Sequence, residues 1–272
     1  MLDDDAPAGA LDLGTDAGLL EEAAREAGRI ALGYFDTDVR RWTKGDDSPV
    51  TEADIAVDRF LRERLGAARP EFGWLSEETA DTAERLSRQN VFVVDPIDGT
   101  RAFIRGADEW TISLAIVTDG RPVAAAVYCP RRDEMFLAAK GRGSFLGGTR
   151  LATAKTDQLS GARIAGPRKV TAHAAAKAAG VREVAFVPSL AYRLALVSAG
   201  RVDAAASTRG PCDWDLAGAD LLVHEAGGRL SQLSGDPLLY NRERPVHPPI
   251  AASGAPLHAA LLSLLETTLS ES

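Results

Sequence analysis

The ten residues Val94-Asp95-Pro96-Ile97-Asp98-Gly99-Thr100-Arg101-Ala102-Phe103 decide the reading of this chain. They complete the apolar run Val91-Phe92-Val93-Val94, a short strand that delivers Asp95 at its end. Pro96 stiffens the exit, and Asp98 lies three residues beyond Asp95. Gly99 and Thr100 then open a turn or the start of a helix. Two carboxylates and the Ile97 carbonyl can converge there on a hard cation, which prefers oxygen ligands. The backbone N–H groups of Gly99 and Thr100 could face a phosphate oxygen. An ordinary Asp-Pro/Asp-Gly turn would use the same residues, so this segment alone leaves both readings open.

Three more acidic groups bear on the choice. Ser76-Glu77-Glu78-Thr79 follows the apolar residues 72–75, which puts the glutamates just past a strand; a solvated surface pair is the alternative. A helix starts near Thr51, with Asp54 three positions on as its acidic capping partner, and runs to Leu65 before Gly66. The helix dipole by itself would account for Asp54. Trp214-Asp215-Leu216-Ala217-Gly218 opens another helix, with Leu216, Ala219, Leu222 and Val223 on its apolar face. Asp215 has the same local explanation, yet a helix start is also where a metal-binding carboxylate can be aimed into a cleft. Asp220, His224 and Glu225 are expected on that helix's surface or at an interface.

The rest of the chain sorts into two halves behind an acidic tail at 1–14. Residues 15–150 form an α+β half of two helices and a largely antiparallel sheet. Its first helix, 15–35, repeats Leu19, Leu20, Ala23, Ala27, Ile30, Ala31 and Tyr34 at helical spacing. Ile55, Phe60, Leu61 and Leu65 are the expected buried side of the second helix. Strands follow at 91–94, 111–117, 123–128 and 134–139, the middle two joined by a hairpin turn. Residues 151–272 alternate strands (162–165, 183–187, 203–207, 229–233) with helices (171–179, 189–199, 214–226 and from 256). That alternation predicts a mixed sheet with helices on its faces.

Bulk properties bound the function. A chain of 272 residues with 45% hydrophobic and 26% charged side chains is ordinary for a globular protein. The net charge of −8 argues against a nucleic acid polymer as partner, which needs a basic face. No apolar run is long enough for a bilayer span, and the N-terminus lacks a signal peptide's basic and apolar regions. Only Cys129 and Cys212 occur, read as two reduced thiols. These points predict a cytoplasmic protein without a membrane partner.

Together the acidic segments resemble the lithium-sensitive, inositol monophosphatase-like superfamily of Mg-dependent phosphatases. The resemblance runs from about Leu19 to Leu233 and rests on Asp54, Glu77-Glu78, Asp95-Pro-Ile-Asp-Gly-Thr100 and Trp214-Asp-Leu-Ala-Gly218, in the family's order. It implies a mixed α/β class, a layered α/β/α/β/α sandwich of the inositol monophosphatase and fructose-1,6-bisphosphatase type. It implies Glu77, Asp95, the Ile97 carbonyl, Asp98 and Asp215 as ligands of two or three Mg2+ ions, with Mn2+ as a substitute. Thr100, paired with Glu77, is the implied water activator. Asp54 and Thr51 match supporting positions, and Lys44 matches a lysine at the phosphate end. Asp98, Gly99, Thr100 and Asp215 would also meet substrate.

The stretches Lys44–Asp54 and Gly73–Glu78 look most like bacterial 3′(2′),5′-bisphosphate nucleotidases. Residues 189–203 resemble their nucleotide-side helix, with Arg193 where many carry lysine. Thr208 stands where inositol phosphatases tend to carry an acidic residue. Arg193 and Arg209 could neutralise a second phosphate through charge-assisted hydrogen bonds, although surface arginines are the alternative. The expected reaction is removal of the 3′-phosphate from adenosine 3′,5′-bisphosphate (or its sulfated form) by a monomer or homodimer. An inositol-1-phosphate or broader sugar phosphatase acting on fructose 1,6-bisphosphate is the alternative enzyme. A regulatory binding protein on the same fold is the non-enzymatic one.

Overall fold

The computed structural model describes residues 13–37, 39–43 and 49–270; Lys44 and most of the acidic tail lie outside them. The first half comprises α1 (Thr15–Tyr34), β1 (Arg41–Thr43), β2 (Pro49–Thr51), α2 (Glu52–Ala68), β3 (Gly73–Ser76) and β4 (Asn90–Asp98). It continues through α3 (Thr100–Ile104), β5 (Thr111–Thr118), β6 (Arg121–Cys129), β7 (Glu134–Ala139), β8 (Gly143–Leu146) and β9 (Thr149–Arg150). The second half holds β10 (Arg163–Ala165), α4 (Arg168–Thr171), α5 (Ala174–Ala178), β11 (Arg182–Glu183) and α6 (Leu190–Ser198). It ends with β12 (Ala204–Ser207), α7 (Asp213–Glu225), β13 (Gly228–Gln232), β14 (Ile250–Gly254) and α8 (His258–Ser270).

Period-two alternation in the central strands feeds two different cores. Phe92 and Val94 of β4, with Ile112, Leu114 and Ile116 of β5, pack with the apolar faces of α1 and α2. Their neighbours Val91, Val93, Ala115 and Val117 face the opposite way, onto Leu194 of α6 and Leu216 and Leu222 of α7. A third core lies beyond the second sheet, where Ile164, Ala204 and Ala251 meet Leu257, Leu261 and Leu265. Each fully buried leucine or isoleucine contributes roughly 1.5–3 kcal/mol of transfer free energy, so both faces of each sheet must be covered.

The result is helices, a seven-stranded sheet, helices, a five-stranded sheet and helices, the α/β/α/β/α sandwich that the resemblance implies. The first sheet runs β3 to β9 in chain order, antiparallel except for the parallel β3–β4 pair at its edge. The second has the order β11-β10-β12-β14-β13 and is mixed.

Several boundaries differ from the sequence reading. Helix α2 passes through Gly66 to Ala68, because that glycine meets no neighbour and retains helical backbone. Its buried side is Ala53, Val57, Leu61 and Leu65, whereas Ile55 is exposed. The alanine-rich helix expected at 171–179 breaks into α4 and α5, and His173 caps the second piece. The strand expected at 183–187 is only β11. Strands β1, β2 and β14 carry too few alternating apolar residues to have been read.

Candidate metal centre

The metal-binding geometry begins with an irregularity in β4. Residues three apart in a regular strand point to opposite faces, so Asp95 and Asp98 should diverge. The β4–β5 register slips between them: Asp95 pairs with Ser113 and Asp98 with Thr111, three steps against two. This bulge turns both carboxylates to the same side. Ile97 N–H donates to Asp95 Oδ1 at 3.0 Å and fixes the bend. Gly99 follows at φ 96°, where a Cβ would lie 3.2 Å from the Glu109 carbonyl and 3.3 Å from Ser189 Cβ. Glycine is needed at that position.

Asp215 comes from α7, the helix packed against β4, β5 and β6. It lies in the first turn of α7, where Cys212 N–H donates to its Oδ2 at 2.6 Å. Asp98 is anchored by the start of α6: its Oδ2 accepts from Ser189 Oγ at 2.5 Å and from Ala191 N–H at 2.6 Å. Asp95, Asp98 and Asp215 each offer a carboxylate oxygen within 4.8 Å of the others. Oxygens held at 2.0–2.6 Å around one cation would have about that separation. Glu77, half-buried just past β3, completes the acidic wall, and its N–H donates to the Val94 carbonyl at 3.2 Å.

The electrostatics show what this costs the protein. Asp95 is raised well above the ordinary carboxylate range by burial, then by the charges of Glu77, Asp98, Asp215 and Asp54. Asp215 is raised well above it too, by burial and then by Asp98. Burial likewise lifts Asp98 to about 6, against the hydrogen bonds from Ser189 and Ala191. Two like charges at this range repel by about 3–4 kcal/mol at an effective dielectric of 20. Three carboxylates converging in this way are a fitting donor set for a divalent oxygen-seeking ion.

Beside this trio stands a hydroxyl–carboxylate chain. Thr51 caps α2, and Asp54 Oδ2 accepts from its N–H at 2.8 Å and its Oγ1 at 2.6 Å. Thr100 Oγ1 lies 3.3 Å from Asp54 Oδ1 and 3.1 Å from the Ile97 carbonyl. Asp54 is itself buried, which lifts it to about 6. The capping box read from the sequence is therefore also part of the site.

One supporting residue escaped the sequence reading. Asp58, one turn after Asp54 on α2, accepts from Ser76 Oγ at 2.5 Å and Thr79 Oγ1 at 2.7 Å, tying down the segment that carries Glu77. The spacing of Asp54 and Asp58 was the available signal. Asp220 is a correction: expected at a surface or interface, it is fully buried, and Tyr240 Oη donates to it at 2.8 Å.

The two arginines differ. Arg193 is 6% exposed and gives its N–H groups to carbonyls, Nε and Nη2 to Val187 and Nη1 to Ala206. Arg209 is exposed and lines a cleft of about 440 Å³ with Pro167, Lys169, Phe186, Arg193, Ser207 and Thr208. Two of its lining residues are close in sequence to groups that bind the acidic centre. Arg193 is two residues beyond Ala191, which binds Asp98, and Arg209 is three before Cys212, which binds Asp215.

A five-layer sandwich whose first sheet and adjoining helix α7 gather three carboxylates able to hold an ion is the arrangement of a metal-dependent phosphatase. The chain belongs to the inositol monophosphatase family, whose pattern matches residues 15–269. It is 37% identical over 232 residues to a histidinol-phosphatase of Mycobacterium tuberculosis, covering 79% of this chain and 85% of that one. It is 30% identical over 242 residues to the 3′(2′),5′-bisphosphate nucleotidase CysQ of Aggregatibacter actinomycetemcomitans, covering 84% and 88%. The crystal structure of the extragenic suppressor protein suhB from Bartonella henselae superposes with a TM-score of 0.80 at 28% identity, over 92% of this chain and 97% of that one. Among the described residues no helix is long and apolar enough to cross a membrane.

Proposed function

We propose that this phosphatase removes the 3′-phosphate of adenosine 3′,5′-bisphosphate in a Mg2+-dependent reaction. The convergence of Asp95, Asp98 and Asp215 carries the hydrolytic part of that reading. These three, with Glu77 and the Ile97 carbonyl, would hold the ions. Bound Mg2+ supplies Lewis-acid stabilisation of the charge that develops in an in-line displacement and lowers the pKa of bound water. The chain's own groups handle orientation and proton transfer. Thr100 Oγ1 accepts from the attacking water and passes hydrogen bonding on to Asp54, whose carboxylate, lifted to about 6, is tuned close to neutrality as a base. Gly99 N–H and Thr100 N–H, at the open end of α3, would orient the transferred phosphoryl group.

The cleft beside the centre supports the choice of substrate. Lys169, Arg193 and Arg209 make it cationic, and none of its lining residues is acidic. A second phosphate is favoured there, whereas the ammonium and imidazole of histidinol phosphate would be repelled. Inositol hydroxyls would find Thr208 in place of a carboxylate. The test is a comparison of kcat/KM for adenosine 3′,5′-bisphosphate, inositol 1-phosphate, fructose 1,6-bisphosphate and histidinol phosphate. We expect the nucleotide to lead by at least about tenfold, the effect of one good charge-assisted contact. Faster turnover of any other ester refutes the substrate.

A further inference from the structure

Phe186 is 64% exposed, yet its ring is not loose. The Arg193 guanidinium lies 5.2 Å from the ring centroid. That guanidinium is itself immobilised: Nε and Nη2 donate to the Val187 carbonyl at 3.2 and 2.8 Å, and Nη1 to the Ala206 carbonyl at 3.2 Å. The two carbonyls belong to the segment before α6 and to β12, so the plate is fixed from two elements. Burying an arginine is unfavourable, and an apolar side chain would fill the same space more cheaply. What the arginine adds is a flat cationic backing for one face of an aromatic ring, leaving the other face open.

Phe186 lines the same cleft as Lys169, Thr208 and Arg209. A rigid ring next to cationic side chains fits a ligand that joins a flat π-system to an anion. Base–aromatic stacking needs no hydrogen-bond code, so a single ring suffices. We propose that Phe186, held by Arg193, is the stacking platform for the purine base of the substrate. Arg193 is then a positioning residue that acts through the ring, which explains why its N–H groups are spent on carbonyls and not offered to a phosphate. This inference rests on the nucleotide reading of the same site.

The experiment compares adenosine 3′,5′-bisphosphate with glycerol 2-phosphate, which has no base, on the wild type, Phe186→Ala, Phe186→Trp and Arg193→Lys. Phe186→Ala should raise KM for the nucleotide about tenfold or more, with a smaller change in kcat. The ratio of kcat/KM for the nucleotide over glycerol 2-phosphate should fall by the same factor. Phe186→Trp should keep that ratio, and its indole fluorescence should be quenched by the nucleotide but not by glycerol 2-phosphate. Arg193→Lys, which loses the flat backing, should lower the ratio partway. Wild-type turnover of the nucleotide with KM unchanged in Phe186→Ala overturns the platform alone. A wild type inert on the nucleotide overturns the substrate and the platform together.

Discussion

Helix α7 carries two sets of acids that meet opposite fates. Asp213 and Asp220 are fully buried and are served by the chain itself. Asp213 Oδ1 lies 2.7 Å from His247 Nε2, and its Oδ2 accepts from Asn241 N–H at 2.7 Å. Asp220 accepts from Tyr240 and has His224 Nδ1 2.6 Å from its Oδ1. Although burial opposes a charge on His224, the Asp220 carboxylate overcomes it and holds the imidazole above its ordinary pKa. Asp215, between them in sequence, has its Oδ2 bound by one backbone N–H and otherwise faces Asp98 and Asp95. The same helix thus carries two acids with partners inside the fold and one, Asp215, that faces the Asp95–Asp98 pair. Acidic composition does not distinguish the two; the partners do.

The largest expected effect comes from removing one of the carboxylates that face Asp215. Asp98→Asn keeps an oxygen for Ser189 and Ala191 but loses a cation ligand, so hydrolysis should fall by more than about a hundredfold. Stability should move the other way. Between pH 3.8 and about 6 the folded protein retains a proton on Asp98 that the unfolded chain has released, so that group's contribution declines as pH rises through this window. Metal-free Asp98→Asn should therefore exceed the metal-free wild type at pH 7 by up to about 3 kcal/mol, the gain vanishing below pH 4. Chemical denaturation at pH 3.5, 5 and 7 checks both sign and window.

A smaller effect on catalysis, with the opposite effect on stability, is expected on the served side. Asp220→Ala leaves the buried Tyr240 Oη without its acceptor and removes the partner of the half-buried His224, and should destabilise the fold by about 1–3 kcal/mol. Saturating Mg2+ should raise its midpoint and that of the wild type equally, leaving the gap unchanged. A gap closed by Mg2+ would show that Asp220 belongs with the metal ligands.

The acids of the candidate centre were legible because each sits in a short local signature: Asp95 to Thr100 at a strand end, Glu77 past another strand, Asp54 and Asp215 in first helical turns. Their convergence was not local and came from the resemblance; the bulge that aligns Asp95 with Asp98 left no mark beyond Pro96. Asp220 was misjudged because its partner Tyr240 lies in a loop without periodicity. Asp220 looked like a surface residue for that reason. Arg193 was read from its place in the resemblance as a possible phosphate ligand, with a surface arginine as the alternative, and only packing reveals its carbonyl partners and the Phe186 ring beside it.

Calorimetric titration of Mg2+ into the chelator-treated protein, run beside Asp95→Asn with thermal unfolding followed on both, addresses the acidic pocket most directly. The wild type should bind saturably and unfold at a higher temperature in proportion to occupancy, and Asp95→Asn should do neither at the same concentrations. Equal binding by the two proteins, or undiminished hydrolysis in excess chelator, would contradict a cation held by Asp95, Asp98 and Asp215.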